Sequence, residues 1–299
     1  MQSRPMTQAS TFLLFAQHGW ADTHHAIQGL AQSLAPHATI IAPDLGWWKT
    51  WWRIDPLIAT VEQVALQTLR THPDHPWRIV GHSMGGLIWL ELLQRHPDWW
   101  SRVEALVLVA SPVGGADLGR IVDPFGWGLG IAADLGANRR AIAAQIAAQI
   151  PTLSIAGDVD GGSDRTVLVQ STQFDHATQR TLPHAHAALK NHPDLIPLIH
   201  QFWAHPTIAP LPPPSDHHSA IAHLRTVPGI TDAHPRDATR APIQHRFPNG
   251  STLRLWKNPF GVLHVFVLDG DGICQYGGFV GRRDRAALMA AVDHLTTTR

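Results

Sequence analysis

The sequence predicts an α/β fold, a doubly wound and mostly parallel sheet, with a small α+β domain after it. Three observations predict this. Short apolar, β-rich runs recur through the first two-thirds of the chain, with helical stretches between them. A stretch at residues 204–216, AHPTIAPLPPPSD, carries five prolines and ends that alternation. Beyond it, short strand-like runs follow one another across tight-turn residues, as in an antiparallel sheet.

The elements follow in order. The apolar runs are residues 11–16, 39–43, 78–80, 105–110 and 152–156, each closed on its C-terminal side by Gly, Pro or another turn residue. Continuous apolar runs suit strands buried on both faces, as in a parallel sheet. Residues 26–34, 56–71, 86–96 and 139–150 have helical composition and supply the crossovers. The proline-rich stretch reads as a stiff linker, because proline removes backbone donors and breaks helices. After it come a short helix near 219–226, strands near 243–247, 252–256, 263–268 and 273–280, and a closing helix near 283–295. The expected domains are therefore 1–203, a linker at 204–216, and 217–299.

Composition narrows the function. With 299 residues, 44% hydrophobic and 15% charged, the chain is globular and long enough for more than one average domain. Lys+Arg and Asp+Glu are 23 each, so no net charge steers it toward nucleic acid, and no nucleic-acid partner is expected. The single cysteine, Cys274, excludes an intrachain disulfide framework. The N-terminal apolar run TFLLFA is shorter than the roughly 7–15 residues of a secretory signal. No run approaches the ~18 residues of a transmembrane segment, so a cytoplasmic protein is expected. The 21 histidines are scattered and show no HExxH or Cys/His zinc spacing, so no metal site is expected.

The informative motif is RIVGHSMGGL at residues 78–87. A strand runs into Gly81-His82-Ser83-Met84-Gly85 and a helix starts at once. In that context G-x-S-x-G is a nucleophile turn, with the Ser83 hydroxyl presented above the sheet. The new helix brings free N–H groups and partial positive charge to where an oxyanion would form. His82, although adjacent, points out of the turn in another direction and reads as a packed neighbour.

Four motifs together make residues 11–203 resemble the α/β-hydrolase family, in its compact lipase- and esterase-like branch. They are LLFAQHGWADT, GHSMGG, SIAGDVDGGSDRTVLVQST and TLPHAHAALKNHPDLIPLIHQFW. The resemblance implies a Ser-Asp-His triad. Asp158, Asp160 and Asp164 compete for the acid; Asp164 is favoured by Val167 and Ser171 behind it, the other two reading as water-facing loop carboxylates. Among His184, His186 and His192, the base is His186, followed by Leu189 and Pro193. It also implies an oxyanion hole from the backbone N–H groups of Trp20 and Met84. Two departures stand out. Few residues precede the first apolar run, so the family's first two strands are expected to be missing. Val113 stands where relatives carry His in Thr-Pro-His-x-Gly. Residues 217–299 resemble no named family.

The implied activity is hydrolysis of a carboxylic ester through an acyl-serine, without metal or organic cofactor. Rivals are an acyltransferase or thioesterase with the same triad, or a non-catalytic binding protein on this fold. Trp47, Trp48, Phe125 and Trp127 are candidate walls of an apolar acyl pocket, so the expected partner is a small-molecule or lipid ester. The C-terminal domain is a candidate surface for a protein partner.

Overall fold

The computed structural model describes residues 12–115 and 131–297. Its first sheet has six strands: β1 (Leu13–Gln17), β2 (Thr39–Ile41), β3 (Trp77–His82), β4 (Val103–Val109), β5 (Thr152–Gly157) and β6 (Ala177–Leu182). Their order is β2-β1-β3-β4-β5-β6 and every pairing is parallel. Helices α1 (His24–Leu34), α2 (Asp55–Thr71), α3 (Met84–Arg95), α4 (Ile131–Gly136), α5 (Arg140–Ala147) and α6 (Leu195–Ala204) follow in the chain.

Both faces of this sheet are covered, which is why β1, β4 and β5 read as mainly apolar runs. On one face α1 and α6 pack Ile27, Leu30, Leu195 and Ile199 against Leu14, Val80 and Val107. On the other, α2, α3 and α5 pack against Phe15, Ile79 and Leu106. There the rings of Phe15, Trp77 and Trp89 meet edge to face, with Phe15 4.8 Å from Trp77 and 4.9 Å from Trp89. Strand β6, with the polar run Thr-Gln-Arg-Thr, carried no apolar signal; as an edge strand it is only partly buried.

The C-terminal unit is a separate antiparallel sheet domain. Its order is β7-β11-β10-β9-β8, from β7 (Thr231–Asp232), β8 (Ile243–Arg246), β9 (Thr252–Lys257), β10 (Leu263–Leu268) and β11 (Cys274–Val280). Helices α7 (Asp216–Leu224) and α8 (Arg285–Thr297) cover one face. A 3₁₀ turn at Pro235–Arg240 packs on the other, against Phe266 and Leu268. Strand β7 is only two residues long and was not legible as a strand. No helix among the described residues is long and apolar enough to cross a membrane.

Candidate active site

The site lies at the C-terminal ends of β1, β3 and β5. Strand β3 ends at His82 and α3 begins at Met84, leaving Ser83 alone between them at φ 55° and ψ −125°. That conformation is strained for a residue with a Cβ and holds the side chain clear of both elements. The turn is tight enough to require its glycines. A Cβ on Gly85 would stand 2.7 Å from the His18 carbonyl oxygen and closer still to that of Gln17. The end of β1 therefore lies directly against the start of α3.

The loop after β5 carries Asp164, whose side chain is 1% exposed. Its Oδ1 accepts N–H bonds from Thr166 at 2.9 Å and Val167 at 2.6 Å. Its Oδ2 lies 2.7 Å from His186 Nδ1, and His186 Nε2 lies 3.0 Å from Ser83 Oγ. The structure thus brings Ser83, His186 and Asp164 into one hydrogen-bonded chain. With Asp164 accepting at Nδ1–H, the imidazole presents a bare Nε2 to the serine hydroxyl.

The competing residues lie elsewhere. Asp158 Oδ1 accepts from the N–H groups of Asp160, Gly161 and Gly162, at 3.3, 2.8 and 2.9 Å. Asp160 bonds Ser163 and lies 3.1 Å from His234 of the C-terminal domain. Asp160 is exposed and Asp158 half-buried, as expected of loop carboxylates, and both also organise the loop through these bonds. His184 pairs with Asp194 at 2.7 Å and stacks on His192, ring centres 3.6 Å apart. Those three residues each offer a ligand atom within 4.8 Å of the others, the candidate cation cluster among the described residues. Its side chains already pair among themselves, and it lies outside the Ser83–His186–Asp164 chain.

His82 is buried, and its Nε2 lies 3.2 Å from the His186 carbonyl oxygen. Burial, with His186 next to it, holds its pKa well below the ordinary 6.5. A neutral His82 donates from Nε2 and so supports the His186 backbone.

The turn after β1 supplies the remaining parts. His18 is fully buried; its Nε2 accepts from Leu45 N–H at 3.1 Å and its Nδ1 lies 3.0 Å from the Gly19 carbonyl oxygen. Burial lowers its pKa, and the neutral ring fixes the turn. A Cβ on Gly19 would sit 2.9 Å from Ser83 Cβ and 3.2 Å from Met84 N, so this turn abuts the Ser83 turn. Among the described residues, neither the Trp20 nor the Met84 backbone N–H has a protein acceptor.

The aromatic candidates divide. Trp47, on a 3₁₀ turn (Trp47–Trp51), donates from Nε1 to the Ala21 carbonyl at 2.9 Å. Trp51 meets Trp20 edge to face at 4.4 Å. Trp48 and Trp52 are on the surface, 77% and 76% exposed. Phe125 and Trp127 lie outside the described residues.

Comparison with known proteins fits this architecture. Residues 13–149 match the family model described as the alpha/beta hydrolase fold. The six-stranded domain accordingly has the alpha/beta hydrolase fold. The mature form of the Bacillus licheniformis lipase BlEst2 is 15% identical, covering 69% of this chain and 96% of its own, at TM-score 0.51. Its propeptide form is 12% identical, covering 92% of this chain and 72% of its own, at TM-score 0.53. At such identities the likeness is one of fold. No curated protein matches the sequence.

Proposed function

We propose that this protein is a serine hydrolase of carboxylic esters that works through an acyl-serine intermediate. One observation carries the reading: His186 bridges Ser83 Oγ at 3.0 Å and Asp164 Oδ2 at 2.7 Å through its two ring nitrogens. A serine hydroxyl is a poor nucleophile until a base can take its proton, and this arrangement supplies one. Ser83 Oγ attacks the ester carbonyl while His186 Nε2 takes the hydroxyl proton. The oxyanion settles on the backbone N–H groups of Trp20 and Met84, which among the described residues have no protein acceptor to give up. The imidazolium, stabilised by Asp164, hands its proton to the departing alkoxide. Water, activated by the same imidazole, then releases the acid and restores Ser83.

The ester preference is supported by fold likeness to a lipase and by the aromatic cluster of Trp20, Trp47 and Trp51 next to the nucleophile turn. An apolar wall of this kind suits an acyl chain. We assign the chemistry to residues 1–203 and an accessory role to residues 217–299, joined by the linker at 204–216. The test is hydrolysis of p-nitrophenyl esters of increasing acyl length by wild type and His186→Ala. The reading expects turnover that falls by several orders of magnitude in the variant. Equal rates in the two proteins would overturn it.

A further inference from the structure

The loop that carries Asp164 leaves β5, turns, and returns through a 3₁₀ turn at Val169–Thr172. Its neck is closed by Val169 N–H on the Gly162 carbonyl at 2.9 Å, and its tip holds Asp164 to Val167. Both sides of the neck are held by the C-terminal domain, and each contact is specific.

On the returning side, the Gln170 side chain enters the end of the C-terminal sheet between β7 and β11. Its Nε2 donates to the carbonyls of Ala233 at 2.9 Å and Gly277 at 2.5 Å. Its Oε1 accepts from Gly277 N–H at 3.0 Å. The amide acts as one more peptide group in the ladder, donating and accepting side by side. Among neutral side chains only Asn and Gln have both capacities on adjacent atoms. Arg140 adds a second tie. It donates to the carbonyls of Gln170 at 2.9 Å and Gln173 at 3.1 Å, and pairs with the buried Asp232 of β7.

On the outgoing side, His234 takes its place at Asp160. The His234 Nδ1 accepts from Arg236 N–H at 3.1 Å, so its Nε2 carries the proton and donates to Asp160 at 3.1 Å. The Pro235 ring closes over Gly162, where a Cβ would stand 2.6 Å from it.

The character of the interface matters. Each of the four buried apolar clusters among the described residues stays within one domain; none spans both. The hydrogen bonds and ion pairs above address fixed backbone and side-chain atoms of one loop. Apolar burial is indifferent to register, whereas an amide seated on three backbone groups fixes position.

We propose that the C-terminal domain is a clamp that positions the Asp164 loop, with Gln170 as its principal positioning residue. The proposal rests on the serine-hydrolase reading, since it assigns the clamp its effect through Asp164 and His186. A displaced Asp164 no longer orients the imidazole, and misplacements near 1 Å cost on the order of 100-fold in rate. The clamp releases at two points, so two classes of variant test it.

The experiment measures kcat and KM on a soluble p-nitrophenyl ester for full-length wild type, Gln170→Ala, Gln170→Glu and His234→Ala. Active sites are counted by titration with a fluorophosphonate, so that unfolded protein does not enter kcat. Gln170→Glu keeps the shape but faces the Ala233 and Gly277 carbonyls with acceptors. The clamp predicts that kcat per titrated site falls about 10-fold in both Gln170 variants, with KM within about twofold. His234→Ala, at the exposed side, falls about 3-fold and decides the matter if the Gln170 variants do not fold. A lower melting temperature with kcat per titrated site unchanged would overturn the proposal, because the interface would then be structural only. A rise in kcat would also overturn it, since the domain would then obstruct the site. A wild type that titrates no site would instead count against the hydrolase reading itself.

Discussion

Asp164→Asn isolates the role of one oxygen atom. The carboxylate has two distinct ends: Oδ1 accepts from Thr166 and Val167 N–H, and Oδ2 faces His186 Nδ1. An asparagine must choose which end becomes NH₂. Turning it toward the two N–H groups would leave two buried donors unmade, at about 1–3 kcal/mol each. The amide oxygen therefore stays at the Oδ1 position and Nδ2 replaces Oδ2. An NH₂ now donates to His186 Nδ1, so the ring proton must move to Nε2. That proton points at Ser83 Oγ, 3.0 Å away, and the imidazole can no longer act as base. The expected loss in kcat is about 10⁴-fold, or roughly 5 kcal/mol of transition-state stabilisation. Stability should change by less than about 1 kcal/mol, because the number of hydrogen bonds is kept. The assay is p-nitrophenyl acetate hydrolysis with thermal melts run alongside. A folded Asp164→Asn within tenfold of wild type would refute the assignment. So would an equal loss in Asp160→Asn.

Three further outcomes follow from the geometry. Gly85→Ala places a methyl against the Gln17 and His18 carbonyls, pushing β1 away from the Ser83 turn; we expect a loss of about 1–3 kcal/mol by denaturant melts and a fall in kcat. Asp232→Ala strips the partner from buried Arg140 and should cost about 3–5 kcal/mol, whereas Arg140→Met with Asp232→Leu should recover most of it in calorimetry. Folded His82 and His18 both hold protons more weakly than the ordinary 6.5, so the unfolded chain takes up protons first as pH falls. Their stabilising effect is complete above pH 6.5 and is lost below it, by up to about 1.4 kcal/mol per pH unit for each group. His82→Gln should flatten the fall in melting temperature between pH 7.5 and about 5.

The parts of the site legible in the sequence are those fixed by local backbone. An apolar strand running into Gly-His-Ser-Met-Gly and then a helix admits one geometry, and Ser83 occupies it. The His18-Gly19-Trp20 turn is similar, because a strand end followed by Gly marks a sharp exit. The acid was harder, since Asp158, Asp160 and Asp164 share one loop and only the path of that loop separates them. The fold gives all three work: Asp158 caps the turn, Asp160 meets His234, and Asp164 reaches His186. Strand β6 gave no apolar run of its own, because an edge strand needs none; only the motif around His186 pointed to it. Gln170 carried no signal, because its partners are main-chain atoms of Ala233 and Gly277, far away in sequence. A glutamine that joins an edge of sheet has no pattern of its own.

Covalent capture of the nucleophile tests the central claim most directly. Full-length protein is treated with a fluorophosphonate and the modified peptide is located by mass spectrometry. The account predicts one adduct per chain, on Ser83, absent in Ser83→Ala and formed far more slowly in His186→Ala. Folded wild-type protein that takes up no label, or takes it up at another residue, would contradict it.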